Sequence, residues 1–371
     1  MGIAKSVSEG RQLAVERPGV GVLAVVLLYL VADLLVKLSG TTVLAFGVPL
    51  IGGSLSTGSL LSMILDGLLV GLAVGLAGIG LSMTYSILDF ANFAHGDTVT
   101  AGAFLGWVAA SLTATIGADA ALSERFLFDT GRQLGAASAL LPILVGLVVA
   151  AIGTVAVVLL IDRLTYRPMR GADNISLLIA SIGVALALRY LIAFVFGTQT
   201  SGVASSSVRF LILPGLAVTD NELALLFVSV SLMVGVHLLL QRTKLGKAMR
   251  AMADNEDLAR VTGIPTGRVV RFTWILGGAL AGVGGYLLVL ESGTISFNFG
   301  WILLLLIFAA VIVGGIGSIY GAMAGGVLIG LVDSLALIWL PSGLTRAAAF
   351  AVLIVVLLLR PSGIFGGVST A

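Results

Sequence analysis

Long apolar runs recur throughout this chain, and they restrict its fold more than any other feature of the sequence. A membrane-crossing helix needs roughly 20 mostly apolar residues, and many of the runs reach that length. Of the 371 residues, 58% are hydrophobic and 10% are charged, and the mean hydropathy is +1.15. An ordinary soluble domain has about 25% charged residues. The sequence therefore predicts an all-α integral membrane protein and argues against a soluble enzyme.

Ten segments qualify as membrane-crossing helices, which predicts a polytopic helical bundle. They are approximately 20–38, 59–82, 98–115, 136–161, 175–197, 222–240, 272–290, 301–315, 319–340 and 346–360. The eighth is short and ends in a glycine run, so we expect a broken or re-entrant helix there. The first is interpreted as a retained anchor, because Asp33 and Lys37 lie near its end and no small-residue cleavage site follows.

The distribution of lysine and arginine predicts the orientation of the bundle, since cytoplasmic loops carry an excess of these residues. Three basic segments fall on one side when the ten spans are threaded: the N-terminal arm, 162–174 and 241–271. The opposite segments are poor in basic residues, apart from 116–135, which has two arginines. Both termini are therefore predicted to be cytoplasmic.

Residues suited to covalent or metal chemistry are scarce. The chain has no cysteine and only two histidines, His95 and His237, which makes a metal site improbable. It has neither a GxxxxGK[ST] phosphate loop nor a GxSxG elbow. The net charge of +2 gives no sign of a nucleic-acid surface. We expect no catalytic residue, no metal, no cofactor and no nucleic-acid partner.

A few ionisable residues fall inside predicted spans, where each is costly in lipid and must find a partner or line a path. Asp66, Arg189 and Asp333 are such residues, and Arg189 and Asp333 have opposite charge and could pair. A buried structural role and a place along a translocation path both remain open for them. Asp66 is a candidate for lining the translocation path.

The segment 86–104, SILDFANFAHGDTVTAGAF, interrupts two apolar runs with polar groups and contains neither lysine nor arginine. This pattern predicts a semi-buried elbow between two helices. Asn92 or Asp97 could cap the second helix, whose first N–H groups need acceptors. Asn92, His95 and Asp97 are candidates for lining the path, and the alternative is that they hold the two helices in register.

Glycine pairs four residues apart, such as Gly71 and Gly75, allow neighbouring helices to approach closely. The run GGIGSIYGAMAGG, which begins at Gly314, is so rich in glycine that a regular isolated helix is not expected there. Bent helices occur near transport paths, so Gly314, Gly317 and Ser318 are further path candidates.

The segment 243–271 is the longest predicted cytoplasmic loop and the most charged part of the chain. Residues 247–262 are predicted to form one helix that ends at Gly263, with Pro265 beyond it. Its small apolar face comprises Ala248, Met249, Met252 and Ala259. Such a helix could lie on the membrane surface or dock into a groove of a cytoplasmic partner.

Five segments together resemble the inner-membrane permease subunits of branched-chain amino-acid ABC importers, the H-type subunit in particular. They are 66–85, NFAHGD at 92–97, YRPMRG at 166–171 with LIASIGVAL at 178–186, 246–264, and 314–331 with the terminal RPSGIFG at 360–366. Urea-type permeases share most of these motifs. This chain departs from the family pattern at Asp66, where asparagine is usual, and at Tyr320, where proline is frequent.

The resemblance implies a permease domain over 58–371, with 1–57 as an arm, an extra helix and an outer loop. It implies transport of substrate delivered by an extracytoplasmic binding protein, in the plasma (inner) membrane. Two cytoplasmic ABC ATPases would hydrolyse ATP, and a second permease subunit, an M-type homologue or another copy, would complete the path. By this resemblance 243–271 is the coupling segment, and the coupling residues are Gly246, Ala248, Met249, Arg250, Met252 and Ala259.

Two alternative functions stay open at this point. One is an ABC permease for urea or short-chain amides, because the motifs are shared with that group. The other is an ion-coupled secondary transporter without an ATPase, because such proteins carry acidic residues inside the membrane.

Overall fold

The computed structural model describes residues 18–45, 48–115, 140–203, 209–213 and 216–366. Helices dominate these ranges. They are α1 Pro18–Leu38, α2 Thr57–Leu88, α3 Ala94–Thr115, α4 Leu140–Ile161, α5 Asn174–Phe196, α6 Asp220–Arg242, α7 Lys244–Asp254, α8 Glu256–Val261, α9 Thr266–Ser292, α10 Phe299–Gly314, α11 Ile319–Leu335 and α12 Thr345–Leu359.

Short strands and single turns complete the described part of the chain. The strands are β1 Thr42–Ala45, β2 Val48–Gly52, β3 Ser201–Gly202, β4 Arg209–Leu213, β5 Leu216–Thr219 and β6 Thr294–Ile295. They pair two by two, as β1 with β2, β3 with β6 and β4 with β5. A π-helical turn, Asp162–Tyr166, extends α4, and 3₁₀ turns at Ala336–Ile338 and Ser342–Leu344 separate α11 from α12.

The predicted all-α polytopic membrane fold is confirmed. Eight helices of the described chain are long and apolar enough to cross a membrane, and α10 is a shorter apolar helix of 16 residues. With α3, which has 22 residues, they coincide with the ten predicted segments. The fourth was predicted from residue 136, but the helix begins at Leu140, and 136–139 lie outside the described residues.

The described residues up to Ser62, with 213 and 216, form a small compact unit. In it, Asp33 is buried and accepts hydrogen bonds from Lys37 Nζ at 2.6 Å and from the backbone N–H of Gly52 at 2.7 Å. This carboxylate therefore ties α1 to the β1–β2 hairpin.

The second compact unit contains the rest of the described chain and has its core around α9. Helix α3 packs against α4, and both pack against α9. Small residues allow this, because a Cβ added at Gly285 of α9 would lie 2.6 Å from the Val99 carbonyl oxygen of α3. Close backbone approach of this kind is how membrane helices associate without a hydrophobic driving force.

Glycines also govern the contact between α2 and α11. A Cβ at Gly71 would lie 2.8 Å from the carbonyl oxygen of Gly326, so the predicted close packing at Gly71 is confirmed. The expectation of an irregular glycine run is confirmed only for residues 315–318, since a regular helix begins at Ile319. Packing against α2 and α10 stabilises α11 despite the conformational cost of its glycines.

Candidate functional site

The elbow between α2 and α3 is anchored by aromatic and polar contacts. Asp89 has a positive φ of 53° and accepts a hydrogen bond from Asn174 Nδ2 at 2.9 Å. Phe90 packs on Tyr166 with ring centroids 5.2 Å apart. The backbone N–H of Phe93 donates to Ser181 Oγ at 3.0 Å. The chain therefore reverses between the two helices at a fixed position against α5 and the end of α4.

Asn92 is buried and fulfils the predicted capping role. Its Oδ1 accepts hydrogen bonds from the backbone N–H of Ala94 at 3.1 Å and from the Tyr166 hydroxyl at 3.0 Å. Tyr166 in turn stacks on Trp274 of α9, with centroids 5.3 Å apart and ring planes 5° from parallel. One amide side chain thus connects the start of α3 to the end of α4 and, through Tyr166, to α9.

His95 is buried and contacts α2. Its Nε2 lies 2.8 Å from the carbonyl oxygen of Ala77. A carbonyl oxygen only accepts, so Nε2 must be the protonated nitrogen and donate this bond. The residue therefore holds α3 against α2 through a backbone acceptor.

Asp97 forms a bidentate ion pair with Arg189 of α5. Arg189 Nε and Nη2 each donate to one carboxylate oxygen at 2.9 Å, and the Asp97 side chain is 0% exposed. The guanidinium carbon also lies 4.3 Å above the ring of Trp301 in α10. The suggested pairing of Arg189 with Asp333 is wrong, because the first turn of α3 brings Asp97 to Arg189 instead. This pair joins three helices.

Gly96 of the NFAHGD motif lies where α3 crosses α10, and it allows the two helices to approach closely. A Cβ at this position would come 2.5 Å from the carbonyl oxygen of Gly300. The Gly300 N–H donates to Thr100 Oγ1 at 2.9 Å, one turn further along α3. The motif therefore packs α3 against four neighbouring elements, and its polar groups are partnered inside the chain.

Asp66 is exposed on α2 and has other acidic residues near it. Electrostatic interactions link Asp66 to Glu222 and link both to Glu291 of α9. Sequence reasoning missed the two glutamates, because they lie at the ends of different helices, 156 and 225 residues further along than Asp66 by their numbers in the chain. Glu222 also completes a capping box with Thr219 at the start of α6.

Gly314, Gly317 and Ser318 lie at the break between α10 and α11. Gly317 has a φ of +83°, which favours glycine, and Ser318 Oγ accepts from the Gly321 N–H at 3.0 Å to cap α11. The Gly314 carbonyl accepts from the Phe365 N–H at 2.9 Å. The RPSGIFG segment at 360–366 therefore bonds to the end of α10.

The segment predicted as one helix over 247–262 is two helices, α7 and α8, so that prediction is wrong in its continuity. Asn255 interrupts it, because its Oδ1 accepts the Leu258 N–H at 2.8 Å and starts a new helix. The cap of α7 is Thr243, whose Oγ1 accepts from the Gly246 N–H at 3.0 Å.

The apolar face of α7 and α8 points toward the bundle. Met249 and Met252 are each 3% exposed and Ala259 is 2% exposed, all within the main hydrophobic core. Gly246 is also buried, and Ala248 and Arg250 are half-buried. The face expected to dock on a partner therefore anchors the two helices to their own bundle.

A different apolar surface points outward, and sequence reasoning missed it. Leu258 is 60% exposed and Val261 is 80% exposed, both on α8. Arg260 on the same helix pairs with Glu256 at 2.7 Å and with Asp257 at 3.5 Å. The signal was present in the sequence, since two large apolar residues three apart lie on a short helix whose other residues, apart from Ala259, are charged.

Outside the spans, Asp173 precedes α5, and its carboxylate accepts a hydrogen bond from the Ser176 hydroxyl at 2.5 Å, which lowers the pKa of that carboxyl. Within the described ranges, no three histidine, cysteine, aspartate or glutamate side chains are grouped so that they could hold a metal ion. The site is thus a set of helix junctions and one outward-facing helix.

Comparison with known proteins gives these features a context. The family described as branched-chain amino acid transport system / permease component matches residues 63–359. The high-affinity branched-chain amino acid transport system permease protein BraD of Pseudomonas aeruginosa is 30% identical over 82% of this chain and 95% of its own length. LivH of Escherichia coli is 30% identical with the same coverage, and a probable LivH of Methanocaldococcus jannaschii is 33% identical over 82% of this chain and 92% of its own.

The match covers α3 to α12 completely, together with the elbow, the α10–α11 break and the segment 243–271. It leaves α1 and the β1–β2 hairpin outside. By both the family match and these relatives, the chain belongs to the family of permease components of branched-chain amino acid transport systems.

Proposed function

We propose that this chain is the translocating permease subunit of an ATP-driven importer of branched-chain amino acids. The observation that carries the proposal is the family match over 63–359, with relatives named as high-affinity branched-chain amino acid permeases over 82% of the chain. The chain is a multi-pass permease of the inner membrane and not an enzyme, and ATP hydrolysis belongs to partner subunits.

Such a permease works with ATPase subunits and a substrate-binding protein. We place the two ATPases at the face that bears α7 and α8, and the binding protein at the opposite face. A second permease subunit, an M-type homologue or another copy, would complete the path. Both termini would then be cytoplasmic, which agrees with the basic residues of 162–174 and 241–271.

The proposed coupling helices, α7 and α8, pack so that a displacement of either one would be transmitted to the centre of the bundle. Helices α7 and α8 both contact α9, and Met249, Met252 and Ala259 are embedded in the core. Because packed interiors transmit displacement rather than absorb it, a shift of α8 would carry α9 with it. The ATPase drives transport by binding one permease state better than the other.

The contact with the ATPase would be made by Leu258 and Val261, not by the buried methionines. These two side chains are exposed on a helix whose other outward residues are charged. An apolar pair surrounded by paired charges is the pattern of a small docking helix in a groove. Arg250 and Ala248, which are half-buried, would lie at the edge of this contact.

The path itself would run beside the candidates Asp66, Asn92, His95, Asp97, Gly314, Gly317 and Ser318 within a domain formed by 58–371. Asp66 is exposed on α2 and would lie beside the path as a polar residue, a role that an asparagine also fulfils. The buried elbow residues would act by holding α3 in position. Weak sites along the path suit passage, and substrate selection would belong to the binding protein.

The test is reconstitution of the permease with its second subunit and ATPases in proteoliposomes. Leucine delivered by the binding protein should enter only when ATP is supplied on the ATPase side. Uptake of urea or acetamide in place of leucine would redirect the assignment to the amide group. Leucine uptake that continues without ATP and follows an ion gradient would show a secondary transporter and overturn the proposal.

A further inference from the structure

A cavity of about 440 Å³ lies where the coupling helices meet the bundle. Its walls come from the end of α2 with the elbow, the turn and loop 162–174, the start of α5, helices α7 and α8, and the start of α9. Volumes of about 300–1,000 Å³ are typical of small-molecule sites. The cavity is distinct from the path candidates, none of which lines it.

Charged groups of both signs face this cavity in nearly equal number. Its charged lining residues are Asp89, Asp162, Arg170, Glu256 and Arg260. Their formal charges sum to −1, from three carboxylates and two guanidinium groups. A polyanion such as a nucleotide would face a net repulsion here, whereas a zwitterion finds a counter-charge for each of its ends.

Two of these groups have bonding capacity left for a ligand. Arg170 contacts Asp162 through Nη2 alone, at 3.2 Å to each oxygen, and so retains donors for a second carboxylate. Asp89 accepts from Asn174 through Oδ2, and its Oδ1 has no hydrogen bond to the described residues. Arg170 can therefore donate to the carboxylate of a ligand, and Asp89 can accept from its ammonium group, within the same cavity.

Much of the remaining lining is apolar, alongside Tyr166, Asn174 and Thr266. Ile87, Phe90, Leu177, Met252 and Val270 line the same space, and all of them are buried. An aliphatic side chain of a ligand placed against them would be removed from water. This removal favours binding by about 25 cal/mol per Å² of apolar surface buried.

We propose that this cavity binds a free amino acid with an aliphatic side chain on the coupling-helix side, and that its occupation slows transport. The choice of ligand rests on the proposed function, because the imported substrate is the zwitterion that accumulates on that side. A molecule held between Arg170, Asp89 and Met252 connects α7 to the elbow and loop 162–174. It stabilises one arrangement of the coupling helices and opposes the movement that the ATPases drive.

The experiment uses the complete complex in proteoliposomes with ATP sealed inside. Initial uptake of labelled external leucine is measured as unlabelled internal leucine is raised, with internal glycine as the comparison. Internal leucine should slow uptake, and glycine should need about tenfold higher concentration, since it lacks the aliphatic side chain.

The double variant Asp162→Asn/Arg170→Gln keeps the net charge of the cavity and removes the guanidinium. Relative to its own uninhibited rate, it should need about tenfold more internal leucine for half-inhibition. Arg167→Gln is the matched control, because Arg167 is an exposed arginine of the same loop that does not line the cavity. Wild-type uptake that ignores internal leucine, or equal sensitivity of the double variant and wild type, would overturn the site.

Equilibrium binding of labelled leucine to the purified complex separates this site from the proposed function. A complex that imports no leucine refutes the function, yet leucine binding that is lost in the double variant and kept in Arg167→Gln still supports the site. Import of leucine without any binding that depends on Arg170 refutes the site alone.

Discussion

The NFAHGD elbow and the proposed coupling helices, α7 and α8, are both polar parts of the described bundle, and they use their polar residues in opposite ways. In the elbow, Asn92, His95 and Asp97 are buried and bonded to other helices of the same chain. On α8, charges pair at the surface while Leu258 and Val261 are exposed. The first pattern fixes helices relative to one another, and the second leaves an exposed apolar surface that we propose another protein covers.

This difference predicts different consequences of mutation. Changes in the elbow should act first on the folding of the permease, because they leave buried polar groups without partners. Changes on the outer side of α8 should leave the permease folded and act on its assembly or coupling.

The largest effect is expected at the buried ion pair. Asp97→Asn or Arg189→Gln alone leaves one charge buried without its partner, which costs about 3–5 kcal/mol in measured cases. Either variant should therefore be present at low level in the membrane and melt well below the wild type in detergent. Thermal unfolding of the purified permease measures this.

The double variant Asp97→Asn/Arg189→Gln is the control for that prediction. It removes both charges and should be more stable than either single variant, since no unpaired charge remains. Single variants as stable as the wild type would show that the elbow is not a structural junction, and they would break the comparison with α8.

The next effect separates the two faces of the coupling helices. Leu258→Asp/Val261→Asp should melt like the wild type and bind the ATPases at least about tenfold more weakly, because exposed apolar anchors dominate such contacts. Met252→Ala should do the reverse, with a loss of about 2–5 kcal/mol of stability from a core cavity. Co-purification of the ATPases and thermal unfolding measure the two quantities. If the aspartate double variant assembled normally, α8 would not be the docking surface.

The smallest effect is expected at Asp66. Asp66→Asn introduces the amide that the resemblance leads us to expect and removes a charge from an exposed position, so leucine uptake should stay within about twofold of wild type. It should also weaken repulsion toward Glu222 and Glu291. Complete loss of uptake with normal assembly would assign an ionised role to Asp66 in the path.

Much of the fold was predictable from the chain because lipid leaves few choices. Without water, every backbone group must be bonded internally, so long apolar runs become helices, and among the described residues each of the ten predicted segments contains a helix. The glycine pairs likewise predicted close packing, since only a missing side chain permits backbones to touch. The elbow was predictable because polar residues between two spans must turn back or be paired.

Partnerships across the bundle were decided by the tertiary structure alone. Opposite charge suggested that Arg189 pairs with Asp333. In the fold, α3 and α5 cross so that Arg189 pairs with Asp97 instead, 92 residues away in the sequence. The apolar face of 247–262 was visible in the sequence, yet periodicity cannot say whether such a face meets its own bundle or another protein. That choice depends on which surface lies opposite, and only the packing of α7 and α8 on α9 determines it.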